Sequence, residues 1–401
     1  MNIFEKVNHS VRPWLPLMAL LPVAVVMLGR FWWPGETSAW ASSTRFALLA
    51  FFLCYLVAGR PVCTTQDKGL LVILVLLACW IGVSVLMFGG QSEVLRRGFV
   101  LAVFICAVAL LKAVDEAKLR SLLQAAAALG GVAALVTLVT ELDRRGLDFS
   151  YRAFRLHSSG IPGFAEFFNP IISGMHMAFA GLTACWCVLV TRKSSARLFW
   201  ICCLLIISGY VFLTYSRSAW LALGLGGLVL LVLRGRLVFW AIFGGALLGA
   251  LVLLGFKFPE IFSIELERGT SYRTLIWKMV LDSMSGFWLF GHGAGVEMSK
   301  MQIPGQTVVN THSLYLEVLF QYGIVGLLIF VSLLLKSIHL MWADRSDFSV
   351  LCLSILLASI GVMFFELHSF IHSPNLIWLW IWFPIAVALG SSINREGQRW
   401  A

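Results

Sequence analysis

Long apolar runs, separated from one another by short polar stretches, recur along most of the chain. The runs are continuous and do not alternate between apolar and polar positions, which excludes a transmembrane β-barrel. About 20 mostly apolar residues make a helix that crosses the hydrocarbon core of a bilayer, so the pattern predicts about twelve spanning helices. Their approximate ranges are 14–29, 44–59, 69–89, 98–113, 120–140, 169–191, 198–214, 218–233, 237–256, 314–335, 348–366 and 374–391. We therefore expect an all-α, polytopic integral membrane protein in which residues 1–401 form a single membrane domain.

The composition agrees with this interpretation. Hydrophobic residues make up 60% of the chain and charged residues 12%, whereas soluble proteins have roughly 45–50% and about 25%. A soluble enzyme with one anchor, a secreted disulfide-bonded domain and a disordered protein are therefore excluded. The first run ends in Phe31-Trp32-Trp33, which is typical of the membrane interface, and it has no A-x-A cleavage pattern. We expect it to be an uncleaved first helix.

The net charge of +10 follows mainly from the predicted topology. With the N-terminus inside, the cytoplasmic loops and termini carry 16 of the 30 basic and 7 of the 20 acidic residues, a net +9. Cytoplasmic loops of membrane proteins characteristically carry such an excess of Lys and Arg. We therefore expect both termini in the cytoplasm and no nucleic-acid partner, because the charge is explained without a basic binding patch.

Two long connections lie on the predicted outer face, at 141–168 and 257–311. Long loops held by a rigid scaffold often carry function, whereas transporters usually place their substrate site near the bilayer midplane. The polar residues of this chain gather instead at the outer rim, which favours an enzyme with a periplasmic substrate site. Within the larger loop, 272–284 predicts an amphipathic helix that either lies along the membrane interface or covers the helix bundle.

Several arginines are candidate ligands for an anionic substrate. Arg217 lies in the short connection Thr214–Leu221, between two apolar runs, where its guanidinium could bind a phosphate through two hydrogen bonds or simply reach the interface. Arg152 and Arg155 alternate with aromatic residues in the first long loop, and Asn169-Pro170 then opens the sixth span. A solvated loop is the alternative interpretation of these two arginines.

His312 is the candidate general base. It follows Asn310-Thr311, which the pattern predicts to cap the tenth span, and a helix N-terminus favours the neutral imidazole that a base must have. Further along the same span, Gly323 and Gly326 would allow a neighbouring helix to approach closely. The alternative for His312 is an interfacial histidine bonded to a lipid headgroup.

A metal site is not expected. Glu366, His368 and His372 cluster in the last outer loop, but Ser373-Pro374 interrupts the helix on which a His pair four residues apart would bind zinc.

Arginines beside one base at the outer membrane boundary suit transfer from a lipid diphosphate carrier to a hydroxyl, because neutralising its charge makes the diphosphate a good leaving group. The donor is expected to be lipid-linked, since an outward-facing site has no access to cytoplasmic nucleotides.

These residues resemble those of the O-antigen ligases, in the superfamily shared with O-antigen polymerases and protein O-oligosaccharyltransferases. The ligase pattern H-[NSQ]-x9-G-x-x-[GTY] is matched in full by His312-Ser313 and Gly323-Ile324-Val325-Gly326. Arg217 and Leu221 resemble the R-x3-L segment of the family. Gly291–Gly295 is similar to the glycine-rich turn that precedes the histidine in the family. Arg155 with Asn169-Pro170 resembles the stretch before span six, so spans six to ten and the two outer loops carry the resemblance.

The resemblance implies a GT-C-like fold in a bacterial inner membrane and a metal-independent, inverting transfer without a cofactor. It implies O-antigen on undecaprenyl diphosphate as the donor, lipid A–core oligosaccharide as the acceptor and membrane lipids as surroundings. His312 carries over as the base and Arg217 as a diphosphate ligand; Arg273 matches the loop arginine best, although Arg268 lies close by. The candidate substrate-binding residues are Arg152, Arg155, Lys278 and Ser313.

Two other functions remain open from the sequence. An O-antigen polymerase would share the histidine segment and use another lipid-linked glycan as its acceptor. A transporter of lipid-linked glycans would carry ionisable residues deep in several spans, where this sequence offers mainly His176 and Glu317. The lack of a long region after the last span favours a ligase over a protein O-oligosaccharyltransferase.

Overall fold

Helices occupy the positions of the apolar runs in the computed structural model, which describes residues 12–32, 37–58, 67–146, 155–235, 263, 272–298, 301–303, 306–308, 310–366 and 370–393. The first eight helices are α1 (Leu15–Trp32), α2 (Thr37–Val57), α3 (Lys68–Met87), α4 (Glu93–Val114), α5 (Glu116–Arg145), α6 (Pro170–Val190), α7 (Ser194–Leu213) and α8 (Arg217–Arg234). They are followed by α9 (Arg273–Ser283), α10 (Leu314–Asp344), α11 (Asp347–Val362) and α12 (Phe383–Ser391), the last preceded by a π-helical segment, Trp378–Trp382.

The architecture fits the all-α polytopic membrane protein expected from the sequence. Within the described ranges, nine helices are long and apolar enough to cross a membrane, and 347–362 and 378–391 are shorter apolar helices. Large apolar side chains such as Phe46 and Leu86 are 72% and 80% exposed on outward-facing helices, as expected where lipid covers the surface. The predicted span 237–256 lies outside the described residues, so the count of twelve remains a prediction.

Helix α6 lies at the centre of the bundle, where most of its side chains are buried. It packs against α5, α7 and α8, while α12 packs against α4. Gly174 permits the close approach of α8, because a Cβ there would lie 2.8 Å from the Ala219 Cβ. The N-terminus of α6 is built by Asn169-Pro170: the Asn169 side chain accepts hydrogen bonds from the N–H groups of Ile171 and Ile172.

Both long connections contain short antiparallel hairpins that the apolar pattern did not predict. The first pairs β1 (Ser158–Ile161) with β2 (Phe164–Glu166), and the second pairs β3 (Met301–Ile303) with β4 (Gln306–Val308). Arg152 lies outside the described residues, as do most residues between α8 and α9.

Helix α9 forms where the sequence predicts an amphipathic helix, and its buried face is directed at the bundle. Ile276 and Val280 are almost fully buried and belong to one cluster with Leu319 and Phe320 of α10. Leu275, expected on the apolar face, is 41% exposed. Of the two interpretations of this segment, the structure favours a helix that covers the bundle.

Gly323 breaks helix α10 near its N-terminal end, with φ 67° and ψ −171°. The backbone groups released by the break are bonded to the turn that follows α9. The Phe320 carbonyl accepts from the His292 N–H at 2.8 Å, and the Ile324 N–H donates to the Trp288 carbonyl, also at 2.8 Å. The glycine-rich turn is therefore held to the backbone of α10.

The two glycines of the histidine motif serve different contacts. Gly326 faces α3 as expected, because a Cβ there would lie 3.1 Å from the Trp80 indole nitrogen. Trp80 donates from that nitrogen to the Tyr322 carbonyl at 3.1 Å. Gly323, expected to admit a helix, instead admits the backbone of the 288–291 turn.

Gly323→Ala should destabilise the protein by at least ~1–2 kcal/mol, the cost of left-handed backbone for a residue with a Cβ. The added Cβ would also lie 2.2 Å from the Leu289 carbonyl oxygen, a backbone atom that cannot move aside alone. We expect a lower unfolding temperature of the purified protein in detergent.

Gly224→Ala is the matched control, because Gly224 lies in helix α8 with no atom within 4 Å of the added Cβ among the described residues. That variant should unfold at or slightly above the wild-type temperature. Equal unfolding temperatures for Gly323→Ala and Gly224→Ala would contradict the role given to Gly323.

Candidate active site

A cavity of about 400 Å³ opens where the ends of several helices meet. Its walls come from the first turns of α6 and α8, from α9, from the segment before β1 and from the residues after α11. The lining residues are Arg155, Ile171, Tyr215, Ser216, Arg217, Ser218, Leu221, Arg273, Trp277, Val362, Phe365 and Glu366. The cavity therefore combines three arginines with one carboxylate, in walls that are otherwise mainly apolar.

Arg217 is the first residue of helix α8. Ser216 caps this helix, its hydroxyl accepting from the Ala219 N–H at 3.4 Å. The unpaired N–H groups and the dipole of a helix N-terminus attract anions. The position of Arg217 thus adds a guanidinium to a place where the backbone already favours negative charge.

Arg155 holds the turn that carries Arg217. Its Nε donates to the Thr214 carbonyl at 2.9 Å, and its Nη2 donates to the Tyr215 carbonyl at 3.4 Å. The side chain therefore bonds the carbonyls at the end of α7 while lining the cavity. The structure gives this predicted substrate ligand a positioning role in addition to its place in the wall.

Glu366 follows helix α11 and forms the charged centre of the cavity. Its side chain is 10% exposed, and its Oε2 lies 3.3 Å from Nη2 of Arg273. Burial raises the pKa of the Glu366 carboxyl above its usual range, while the charge of Arg273 and a hydrogen bond from Ser218 oppose that rise. Desolvation thus favours the protonated carboxyl, and the guanidinium favours the anion.

His312 contacts the same carboxylate, with 4.0 Å between His312 Nδ1 and Glu366 Oε1. One carboxylate therefore lies between the guanidinium of Arg273 and the imidazole of His312. At this distance, which is longer than a hydrogen bond, the carboxylate can stabilise the protonated ring through its charge.

The placement of His312 corrects the expected helix start. Helix α10 begins at Leu314 with Ser313 as its N-cap, so His312 precedes the cap and has a left-handed backbone with φ 50°. Its N–H donates to the Asn310 side chain at 3.2 Å. Asn310 and Thr311 shape the turn around His312 and do not cap the helix. The carboxylate of Glu366, and not the helix dipole, is thus the neighbour identified for this ring.

The histidine turn is tied to α9 and α10. Trp277 of α9 donates from its indole nitrogen to the Thr311 carbonyl at 3.2 Å. The Thr311 hydroxyl bonds the Ser313 carbonyl at 2.7 Å and the Glu317 carboxylate at 3.1 Å. These contacts join the histidine turn to α9, the helix that Arg273 begins, and make the turn part of the packed structure.

The structure does not bring every candidate into the cavity. Lys278 lies on the exposed face of α9. Ser313 is buried, and its hydroxyl donates to the Met363 carbonyl at 3.4 Å. Neither lines the cavity, and Arg152 and Arg268 lie outside the described residues.

Sequence reasoning missed the role of Glu366, which it considered only as a possible metal ligand. A lone carboxylate at the end of an apolar run was the available signal, because such groups are costly unless they have a partner. Within the part of the chain that the structure describes, no group of three or more His, Cys, Asp or Glu residues could hold a metal ion. His368 lies outside that part.

Comparisons with known proteins bear on this site. Residues 201–331 match the family model described as O-antigen ligase. The chain is also 29% identical over 244 residues, or 59% of its length, to an O-antigen ligase from Pseudomonas aeruginosa, and it spans 58% of that relative's length. Both similarities support a relationship to the O-antigen ligase superfamily, which the histidine motif had indicated. The histidine motif, Arg217 and Arg273 all lie inside the range that the family model matches.

Glu366→Gln should bind a divalent anion more tightly than the wild type at neutral pH, because the neutral amide no longer competes for Arg273. The expected gain is about tenfold, from a charge-assisted contact worth roughly 1.5–3 kcal/mol. Sulfate keeps its double charge in this pH range and can be titrated calorimetrically into the detergent-solubilised protein.

The two proteins should bind sulfate equally once the pH is low enough to protonate Glu366 in the wild type, and its raised pKa brings that point above the usual range of a carboxyl. Glu141→Gln is the matched control, because Glu141 pairs with Arg145 on α5, outside the cavity. A constant difference between Glu366→Gln and the wild type at every pH would contradict this assignment.

Proposed function

We propose that this protein, related to the O-antigen ligase superfamily, is a metal-independent inverting glycosyltransferase at the periplasmic face of a bacterial inner membrane. It moves O-antigen from undecaprenyl diphosphate to a hydroxyl of lipid A–core oligosaccharide. The observation that carries the proposal is the carboxylate of Glu366, which lines one cavity with Arg273 and Arg217 and whose Oε1 lies 4.0 Å from Nδ1 of His312. This arrangement combines an anion site with a base.

The arginines suit the diphosphate of the donor. Arg217 adds its charge to the N-terminus of α8, and Arg273 of α9 lines the same cavity with its Nε without a hydrogen-bond partner among the described residues. Guanidinium groups bind phosphate oxygens through paired N–H donors. Negative charge that develops on the departing diphosphate is stabilised most strongly in such a partly dry cavity.

His312 activates the acceptor in this mechanism. The imidazole takes the proton of the acceptor hydroxyl as its oxygen attacks the anomeric carbon, and Glu366 stabilises the resulting imidazolium. The bond between the anomeric carbon and the diphosphate oxygen breaks with its electron pair leaving on the diphosphate. Attack opposite the leaving group inverts the configuration, and the proton remains on His312 until solvent removes it.

The direct test is an assay with purified protein, lipid-linked O-antigen and lipid A–core oligosaccharide, run with and without a chelator. We expect O-antigen joined to the core at the same rate in both reactions. Loss of product with the chelator would contradict the metal-independent mechanism. Product formed only on a second lipid-linked glycan would indicate a polymerase, and transbilayer movement of the glycan without a new glycosidic bond would indicate a transporter.

His312→Ala and Arg273→Ala should differ in their kinetics. Removing the base should abolish turnover, whereas removing the guanidinium should weaken use of the donor about tenfold or more, consistent with a contact worth roughly 1.5–3 kcal/mol. Initial rates at varied donor concentration measure both effects.

Arg145→Ala is the matched cation control, because Arg145 is half exposed and paired with Glu141 away from the cavity. It should retain wild-type rates. Full activity in a folded His312→Ala protein would rule out this residue as the base.

A further inference from the structure

A second cavity, of about 450 Å³, adjoins the first. It lies between the end of α1, the start of α6 and the segment 372–377 that leads into the π-helical turn. Ile171 and Glu366 line both cavities. The carboxylate that contacts Arg273 and His312 therefore stands where the two cavities meet.

His176 of α6 lines the second cavity and carries a buried polar atom without a hydrogen-bond partner among the described residues. The residue is 3% exposed, and its Nδ1 lies 2.9 Å from the Ile172 carbonyl. Because a carbonyl oxygen can only accept, Nδ1 carries a proton, and Nε2 of the neutral ring is an acceptor. Nε2 has no hydrogen-bond partner among the described residues. A buried acceptor of this kind calls for a donor that the described residues do not supply.

The rest of the wall supplies hydrogen-bond donors. Asn169 and Asn375 use their side-chain oxygens to accept backbone N–H groups at the starts of their helices, so their amide NH2 groups can donate elsewhere. Arg30 lies over the rings of Trp40 and Phe167, at 5.5 and 5.4 Å from the ring centres. Both asparagines and Arg30 line the cavity together with His176.

The two cavities therefore differ in the ligand they suit. The first presents three arginines and fits an anion. The second presents acceptors, among them His176 and Glu366, and several donors beside apolar side chains. Hydroxyl groups on a sugar ring satisfy this combination, because each hydroxyl both donates and accepts. Its volume falls in the usual range for a small-ligand site.

We propose that the second cavity binds the sugar of the acceptor that receives the glycan, with one sugar hydroxyl donating to Nε2 of His176. This inference rests on the proposed function and assigns the two substrates of that reaction to two cavities. An inverting transfer requires the acceptor to approach opposite the diphosphate. A sugar held beside Glu366 in the second cavity can present a hydroxyl to His312 while the diphosphate occupies the first. His176 is a binding residue in this arrangement and takes no part in proton transfer.

Kinetics of the His176→Phe variant test the proposal. Phenylalanine keeps the size of the ring and removes the acceptor nitrogen. We expect the KM for lipid A–core oligosaccharide to rise about tenfold, as for the loss of one buried hydrogen bond, with the KM for the lipid-linked donor unchanged. His176→Gln returns an acceptor oxygen and should recover part of the loss.

Thr183→Val is the matched control, because Thr183 is a buried polar residue two turns further along α6 and bonds only the Phe179 carbonyl in its own helix. It should leave both KM values at the wild-type level. An unchanged acceptor KM in folded His176→Phe, or a raised donor KM, would overturn the assignment.

A binding measurement without donor separates this proposal from the proposed function. Delipidated core oligosaccharide titrated into the full-length protein should bind the wild type and Thr183→Val, and should bind His176→Phe about tenfold more weakly. Inorganic pyrophosphate should not displace it. Absence of binding, or displacement by pyrophosphate, would refute a separate sugar site, whereas binding without transfer in the complete assay would count against the proposed reaction only.

Discussion

A buried carboxylate that needs a cationic partner organises the end of the helix bundle that contains the candidate active site. Charge on Glu366 is costly where its side chain is only 10% exposed, and the guanidinium of Arg273 offsets that cost. Because Arg273 begins α9, His312 precedes α10 and Glu366 follows α11, one group of contacts joins three segments that are far apart in the chain. The ion pair that stabilises the fold here is also the centre of the candidate active site.

The backbone around this group is held in conformations that side chains disfavour. Tyr215, Tyr272 and His312 have left-handed backbone, with φ values of 49°, 64° and 50°. Tyr272 directly precedes Arg273, and Tyr215 lies two residues before Arg217. Each such residue costs of order 1–3 kcal/mol and persists where the surrounding structure determines it. Here the surrounding packing includes the break at Gly323, whose released backbone groups bond the turn after α9.

Sequence reasoning predicted the long helices well, because a bilayer imposes both their length and their apolar character. It predicted less well where partners decide the geometry. Asn310 and Thr311 have the composition of a helix cap, yet Ser313 occupies that position, because Thr311 bonds Glu317 and Trp277 bonds the Thr311 carbonyl. Lys278 was a reasonable candidate by charge and motif distance, but the face of α9 that packs on α10 leaves it exposed.

The sequence by itself determined the class of protein, most of the helices and the motif that includes His312, Gly323 and Gly326, since these depend on local composition and spacing. Only the tertiary structure decided that Glu366 lies between Arg273 and His312, that Arg155 supports the turn of Arg217, and that a second cavity containing His176 shares the same carboxylate. These relations join residues far apart in the chain, such as His176 with Glu366, which are 190 positions apart, or Arg30 with Asn375, which are 345 positions apart. The hydrophobic periodicity of a sequence indicates which face of a helix is buried, but it does not indicate which other segment of the chain packs on that face.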